Sequence, residues 1–267
     1  MKKLVLLAMM ASFLTSCTKQ KVLVLYYSQT GTTQAVAEEL QKQLDADIER
    51  IEAATPYDGD FQATIERGRE EMESGVMPEL KPIQANLADY DVIFIGYPIW
   101  FGTYAMPIAT LVKENDFVGK TVVPFCTFGS GGLSTSAQAL KDALPKADIK
   151  KGYGVRQARI EAAPKELNRF LIENGYKQGD IAPLPEYSEQ VPVTEEDSLI
   201  FDAACSGYQF PLGTPITVGK RETEESMDYK FTAKSIGFDG KESTSTIYIT
   251  VSDGEGAKPE FTEVVRE

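Results

Sequence analysis

The sequence predicts an α/β fold, a parallel sheet of five strands with helices on both faces, followed by a small all-β module. Three observations carry this reading. Apolar runs without alternation recur at residues 21–27, 91–96 and 121–127, the pattern of strands buried on both faces of a parallel sheet. Amphipathic helical stretches lie between them. Past Gly179 the periodicity stops and short runs rich in Thr, Ile, Val, Tyr and Phe take over. A length of 267 residues suits one larger domain and one small one.

Taken in order, KVLVLYY at residues 21–27 is the first strand, and Val36, Leu40 and Leu44 with Ala37 give the first helix its apolar face. A second strand is expected at residues 47–53 and a charged helix at 64–73. DVIFIG at residues 91–96 is the third strand, and Pro107 in the first turn opens a helix over 106–113. TVVPFCT at residues 121–127 is the fourth strand, with a helix over 134–144 behind it. A fifth strand is expected at 155–160 and a last helix at 164–174, where Leu167, Phe170 and Leu171 point inward and Gly175 stops the helix. Such alternation implies an open, doubly wound sheet. Residues 180–197, rich in Pro, Glu and Ser, read as a linker or edge segment. Strands of the β module are expected at 198–203, 215–218, 228–235 and 244–251, with a type I′ turn at Asp239-Gly240.

Hydrophobic content of 42% and charged content of 25% are those of a globular protein with a full core. The net charge of −13 excludes nucleic acid as a partner, since that needs clustered Lys and Arg. It suits solubility or docking against a basic redox partner. Histidine is absent, which removes the usual general base, the Ser/His and Cys/His pairs and the commonest zinc ligand. No catalytic side chain and no metal site is expected, and a bound cofactor is the economical source of chemistry.

Residues 1–16 carry Lys2, Lys3, an apolar stretch and a small-residue end, the layout of an export signal too short to span a bilayer. Leu14-Thr15-Ser16-Cys17 resembles a bacterial lipobox. That resemblance implies cleavage before Cys17, lipidation of Cys17 and an exported protein held on a bacterial membrane by its lipid anchor alone. The expected organisation is a signal at 1–16, the α/β domain at 17–182 and the β module at 183–267. Cys126, in an apolar strand, and Cys205 read as free thiols, although an oxidising compartment permits a bond between them.

In an open parallel sheet, ligands bind outside the carboxyl ends of the strands where strand order reverses. Three loops leave such ends. The first, Ser28-Gln29-Thr30-Gly31-Thr32-Thr33, offers four hydroxyls among Ser28, Thr30, Thr32 and Thr33, a flexible Gly31 and the amides of a helix start. These groups can hold a phosphate without a lysine. Lacking the P-loop Lys and the dinucleotide spacing, the loop suits a terminal monophosphate. The second holds Tyr97, Pro98, Trp100, Phe101 and Gly102. Trp100 reads as core filler as readily as a platform for a planar ring. The third, Thr127-Phe128-Gly129-Ser130-Gly131-Gly132, allows close backbone approach to a heterocycle.

Together, VLVLYYSQTGTTQAVAEEL, DVIFIGYPIWFGTYAMP and VVPFCTFGSGGLSTS resemble a flavodoxin over residues 21–176. The resemblance implies strand order 2-1-3-4-5 and bound flavin mononucleotide (FMN). Carried onto this chain, Ser28, Thr30, Gly31, Thr32 and Thr33 hold the phosphate. Pro98, Trp100, Phe101 and Gly102 line one side of the isoalloxazine, and Thr127, Phe128, Gly129, Ser130 and Gly131 contact its other edge. Relatives of this subgroup often have a second Trp where Phe101 stands and a His where Phe128 stands. The expected function is electron transfer at the cell envelope to a redox partner protein or small acceptor. The rivals are an FMN-dependent reductase of quinones or similar acceptors, which needs turnover with a nicotinamide donor, and a degenerate scaffold acting as a binding lipoprotein, which needs the β module for activity.

Overall fold

The computed structural model describes residues 20–58, 60–210, 212–236 and 241–266. The expected export signal, Cys17 and the Asp239-Gly240 turn lie outside them. The first sheet is built by β1 (Val22–Tyr26), α1 (Thr32–Leu44), β2 (Asp47–Arg50), α2 (Phe61–Ser74), β3 (Val92–Trp100), β4 (Thr103–Tyr104), α3 (Met106–Glu114), β5 (Thr121–Phe128), α4 (Leu133–Ala143), β6 (Asp148–Ile149), β7 (Tyr153–Arg156) and α5 (Ala163–Glu173). The strand order is β2-β1-β3-β5, with β6 and β7 both paired to the outer side of β5. All these pairs are parallel; the short β4 folds back antiparallel on β3. This is the expected 2-1-3-4-5 order with the fifth position split in two.

Successive side chains of a strand point to opposite faces, and here both faces are covered. Leu23, Leu25, Ile93 and Ile95 enter one core, while Val24, Tyr26, Phe94, Val123 and Phe125 enter the other with Val36, Ala37 and Leu40 of α1. That double burial is why these strands read as unbroken apolar runs, each large side chain contributing about 1.5–3 kcal/mol.

The fifth strand is earlier than the expected 155–160: it ends at Arg156, and residues 157–162 coil into 3-10 turns. Its break lies opposite Pro124. Val122 pairs with Ile149 and Phe125 with Tyr153, so β5 advances three residues while its neighbour advances four. Pro124 has no N–H to donate, and an edge strand accommodates that with an extra residue.

The second sheet is wholly antiparallel, in the order β12-β11-β10-β9-β8, from β8 (Val191–Pro192), β9 (Thr214–Glu222), β10 (Ser226–Ile236), β11 (Glu242–Ser252) and β12 (Glu260–Arg266). Residues 198–203, expected as a strand, belong instead to α6 (Glu195–Cys205). Their β-propensity is overridden by a strong helix start. Thr194 accepts from the Asp197 amide at 3.2 Å, and the Asp197 carboxylate accepts from the Thr194 amide at 3.0 Å. Glu195, Glu196 and Asp197 complement the helix dipole. α6 then buries Phe201 edge-on against Phe231 of β10, ring centres 5.2 Å apart.

The two sheets are joined at the third loop. Val264 of β12 donates its amide to Ser130 O at 2.7 Å. Arg156 at the end of β7 donates Nε to Gly129 O at 2.8 Å and Nη1 to Phe261 O at 2.6 Å, with its guanidinium 4.3 Å from the centre of the Phe261 ring. Arg159 pairs with both Glu166 and Glu260. A Cβ on Gly131 would come within 2.2 Å of Val264 O, so glycine is required for this approach. Glu263 is half-buried at the same seam, and desolvation raises its carboxyl from 4.5 to about 7.

Two outcomes are expected for stability. Burial acts to raise the Asp197 carboxyl, but Lys220, 2.6 Å away, and Thr194 hold it below the ordinary aspartate range. Asp197→Ala is therefore expected to lower stability by about 2 kcal/mol near neutral pH in chemical denaturation, a loss that shrinks as acid titrates the wild-type carboxylate. Glu263 behaves in the opposite sense. Its penalty is absent below the unfolded value, grows as pH rises and is complete above about 7. Glu263→Gln should raise stability at pH above 7 by about 2–3 kcal/mol and leave it unchanged in acid; a variant equally stabilised at both extremes contradicts this.

Candidate functional site

The chain leaves β1 for β2 on one side and returns to β3 on the other, so the switch point lies between the carboxyl ends of β1 and β3. The three segments singled out in the sequence gather at that edge, although β3 and β5 run longer than expected: residues 97–100 are the last four of β3, Thr127 and Phe128 the last two of β5, and only the first loop wholly follows its strand.

In the first loop, Ser28 is buried and its Oγ accepts from the Gly31 amide at 3.1 Å. Gly31 precedes α1 with a left-handed φ of 91°, and no side chain caps the helix. The first-turn amides thus lack a side-chain acceptor, and the helix dipole adds positive potential there. Thr30 and Gly31 are exposed, and Thr30 Oγ1 and Thr32 Oγ1 are 3.4 Å apart. Thr33 is buried, its hydroxyl 2.8 Å from that of Thr127, which ties the first loop to the third. Gln29 is a strut: it accepts from the Tyr27 hydroxyl at 2.6 Å and donates to Tyr57 O at 2.8 Å.

Arg50, not singled out in the sequence, ends β2 and donates Nη2 to Ser28 O at 2.8 Å. It sets a cation beside the hydroxyl-rich loop and lines with Ser28, Gln29, Tyr57 and Asp58 a hollow of about 350 Å³. The available signal was a basic residue at the end of the strand that pairs with β1.

The second loop divides by side-chain direction. Tyr97 is enclosed, its hydroxyl donating to Ser136 Oγ at 3.2 Å, and burial pushes its phenol well above the usual range. Its ring is core. Trp100, the one tryptophan of the chain, wedges edge-on against Tyr27 and Tyr57, with centroids 5.7 and 5.2 Å away. An added Cβ on Gly68 of α2 would lie 3.3 Å from its ring. Trp100 is half-buried in this wedge, packed against the edge of the core. Phe101 and Gly102 have φ of 50° and 84° and form the two-residue connection between β3 and β4. Both being left-handed, this is a type I′ geometry, usually Asn-Gly. A phenylalanine there stores about 1 kcal/mol of backbone strain.

Phe101 and Gly102 face the third loop across a cleft of about 860 Å³, lined there by Phe128, Gly129, Ser130 and Gly131. Pro98, Trp100 and the first loop do not line it. The structure therefore brings the second and third loops into one cleft and sets the first beside it, linked through Thr33 and Thr127. Thr127 and Phe128 are themselves buried. The outer wall of the cleft comes from the second sheet's region, including Tyr208, Phe210, Val264 and Arg266. Sequence gave no signal for these residues, because nothing in a β-rich tail tells which loop it will dock on.

Cys126 and Cys205 are both free. Burial, then the charge of Glu263, raises the Cys126 thiol well above its ordinary value, so it stays a neutral core group. Cys205 is pushed up to about 12 by burial and then by Asp202, against the opposing charge of Arg156.

The chain is similar to solved structures over its parallel-sheet part. A candidate flavoprotein from Bacteroides uniformis ATCC 8492 is 33% identical, with 57% of this chain and 99% of that one covered and a TM-score of 0.51. One from Bacteroides eggerthii DSM 20697 is 35% identical, covering 56% and 98%, with a TM-score of 0.48. A flavoprotein from Lactobacillus acidophilus NCFM, solved in complex with FMN, is 21% identical, covering 56% and 97%, with a TM-score of 0.48. No functionally curated protein matches the chain. The Flavodoxin family profile matches residues 21–169, more than half of the chain and nearly all of the first sheet, and the chain belongs to the flavodoxin family.

Proposed function

We propose that the parallel-sheet domain binds FMN and serves as an electron carrier, exported and held at a bacterial membrane through a lipid on Cys17. The observation that carries the reading is the uncapped start of α1, with exposed Thr30 and Gly31 and with Arg50 fixed beneath the loop, next to a cleft lined by glycines and aromatics. A phosphate needs donors and positive potential, and the first loop supplies both. A flat heterocycle needs close backbone approach, and Gly102 and Gly129, with open space where a Cβ would stand, allow it.

When bound, the flavin supplies the electron chemistry. The chain's residues do the rest. The α1 amides, Thr30, Thr32 and Arg50 hold the phosphate end. Phe101, Gly102 and residues 128–131 flank the ring, and Phe128 and Ile99 keep water from its inner side. With no histidine in the chain and Cys126 neutral and buried, no protein acid or thiol is assigned a part in transfer. The organisation proposed is a signal at 1–16, the flavin domain at 17–182 and the module at 183–267. The redox partner is a basic protein or a small acceptor, as the chain's acidity suits.

A second reading, an FMN-dependent reductase of a small acceptor, draws support from the size of the cleft, near the top of the range for small-molecule sites of roughly 300–1,000 Å³. Steady turnover with NADH or NADPH separates it from a carrier.

The lipid-free chain, with Cys17→Ser, is expected to take up added FMN and show a perturbed flavin absorbance spectrum; no uptake sinks the proposal. Arg50→Gln should weaken FMN about tenfold, a loss on the scale of a charge-assisted hydrogen bond, and leave riboflavin affinity unchanged, because only the phosphate is absent from riboflavin. Equal losses for both ligands would place Arg50 away from the phosphate. Phe101→Asn should raise stability by about 1 kcal/mol by relieving the left-handed turn while weakening flavin binding, read by thermal denaturation and by FMN titration of the same variant.

A further inference from the structure

The C-terminal module lies outside the family match, which ends at residue 169, yet it borders the cleft faced by the second and third loops. That placement is built rather than incidental. A backbone hydrogen bond joins Val264 to Ser130, Arg156 bridges Gly129 and Phe261, and Gly131 leaves room for the Val264 carbonyl. The module adds two kinds of group. Phe210 is 63% exposed, an apolar ring left facing solvent while set edge-on to Tyr208 at 5.8 Å, and Tyr208 in turn packs on Phe261 of β12 at 5.3 Å. Arg266 is the single charged residue among the described residues lining the cleft. In a chain of net charge −13, a large cleft whose described lining residues include one cation and no acid is matched to an anionic occupant.

We propose that the module completes the ligand site of the flavodoxin domain: Phe210 and Arg266 form an outer wall that selects a planar aromatic ligand bearing an acidic group, stacked outside the flavin ring. Phe210 supplies an apolar face for the ligand ring, and Arg266 supplies donors for a carboxylate or sulfonate. The inference rests on the flavin reading for the inner half of the cleft. The outer half rests on the module's own residues.

The test is isothermal titration of anthraquinone sulfonate, and of its neutral hydroxymethyl analogue, into the lipid-free full chain, with and without FMN. Binding of the sulfonate to the FMN-loaded chain is expected, weakened by added salt. Arg266→Gln should lower sulfonate affinity about fivefold and spare the neutral analogue, the scale of an exposed charge pair. Phe210→Ala should weaken both about fivefold, the scale of one aromatic contact. Both side chains are exposed, so circular dichroism serves as the folding control. Equal affinity of wild type and Arg266→Gln for the sulfonate, or displacement of the sulfonate by FMN, overturns the inference. Failure of FMN uptake is seen before any probe is added and counts against the flavin reading, while the apo chain still reports whether Arg266 discriminates the sulfonate.

Discussion

Burial of the parallel sheet on both faces is the constraint on which the rest of the molecule depends. A parallel strand cannot return through a tight turn, so each connection crosses a face as a helix. Those helices cover Leu23, Ile93 and Ile95 on one side and Val24, Phe94 and Val123 on the other. With β1, β3 and β5 all running the same way, the loops that follow them must emerge at one edge. The site is thus a product of topology before it is a product of particular side chains.

The edge is then divided between two tasks. Trp100, Tyr27 and Tyr57 close an aromatic wedge against α2, freeing the neighbouring Phe101-Gly102 turn to face the cleft. The strained backbone at Phe101 is maintained by the pairing of Ile99 with Tyr104 and Trp100 with Thr103 on either side. At the third loop, the carbonyls of Gly129 and Ser130 are claimed by Arg156 and Val264. The loop's backbone is thus hydrogen-bonded to the second sheet as well as to its own.

Charge placement follows the same economy. The chain is strongly acidic, yet Arg50 sits under the first loop and Arg266 at the rim of the cleft, while Arg156 and Arg159 pin the seam between the sheets. These four arginines stand at loop ends and at the seam, where Arg50 and Arg156 each hold a backbone carbonyl. Glu263 is the exception, a half-buried carboxyl at the seam raised to about 7 by burial, so that its ionisation costs stability as pH rises through the acid range to about 7.

The sequence by itself determined the parallel sheet, because burial on two faces leaves an unbroken apolar run, and it determined where the chain leaves β1 for α1 and β5 for α4, because Ser, Thr and Gly after an apolar run mark a turn into a helix. It also marked most helices by periodicity, and α1 buries Val36, Ala37, Leu40 and Leu44 as expected. Tertiary structure alone decided what local pattern leaves open. Residues 198–203 carry β-formers but follow a capping box whose Asp197 is held by Lys220, a partner from a distant strand. The fifth strand broke where Pro124 of its neighbour could not donate. Trp100 packs closely over Gly68 of α2, far off in sequence, where a larger residue would crowd its ring. Arg50, Phe210 and Arg266 reached the site through contacts between segments remote in the chain, which no local periodicity encodes.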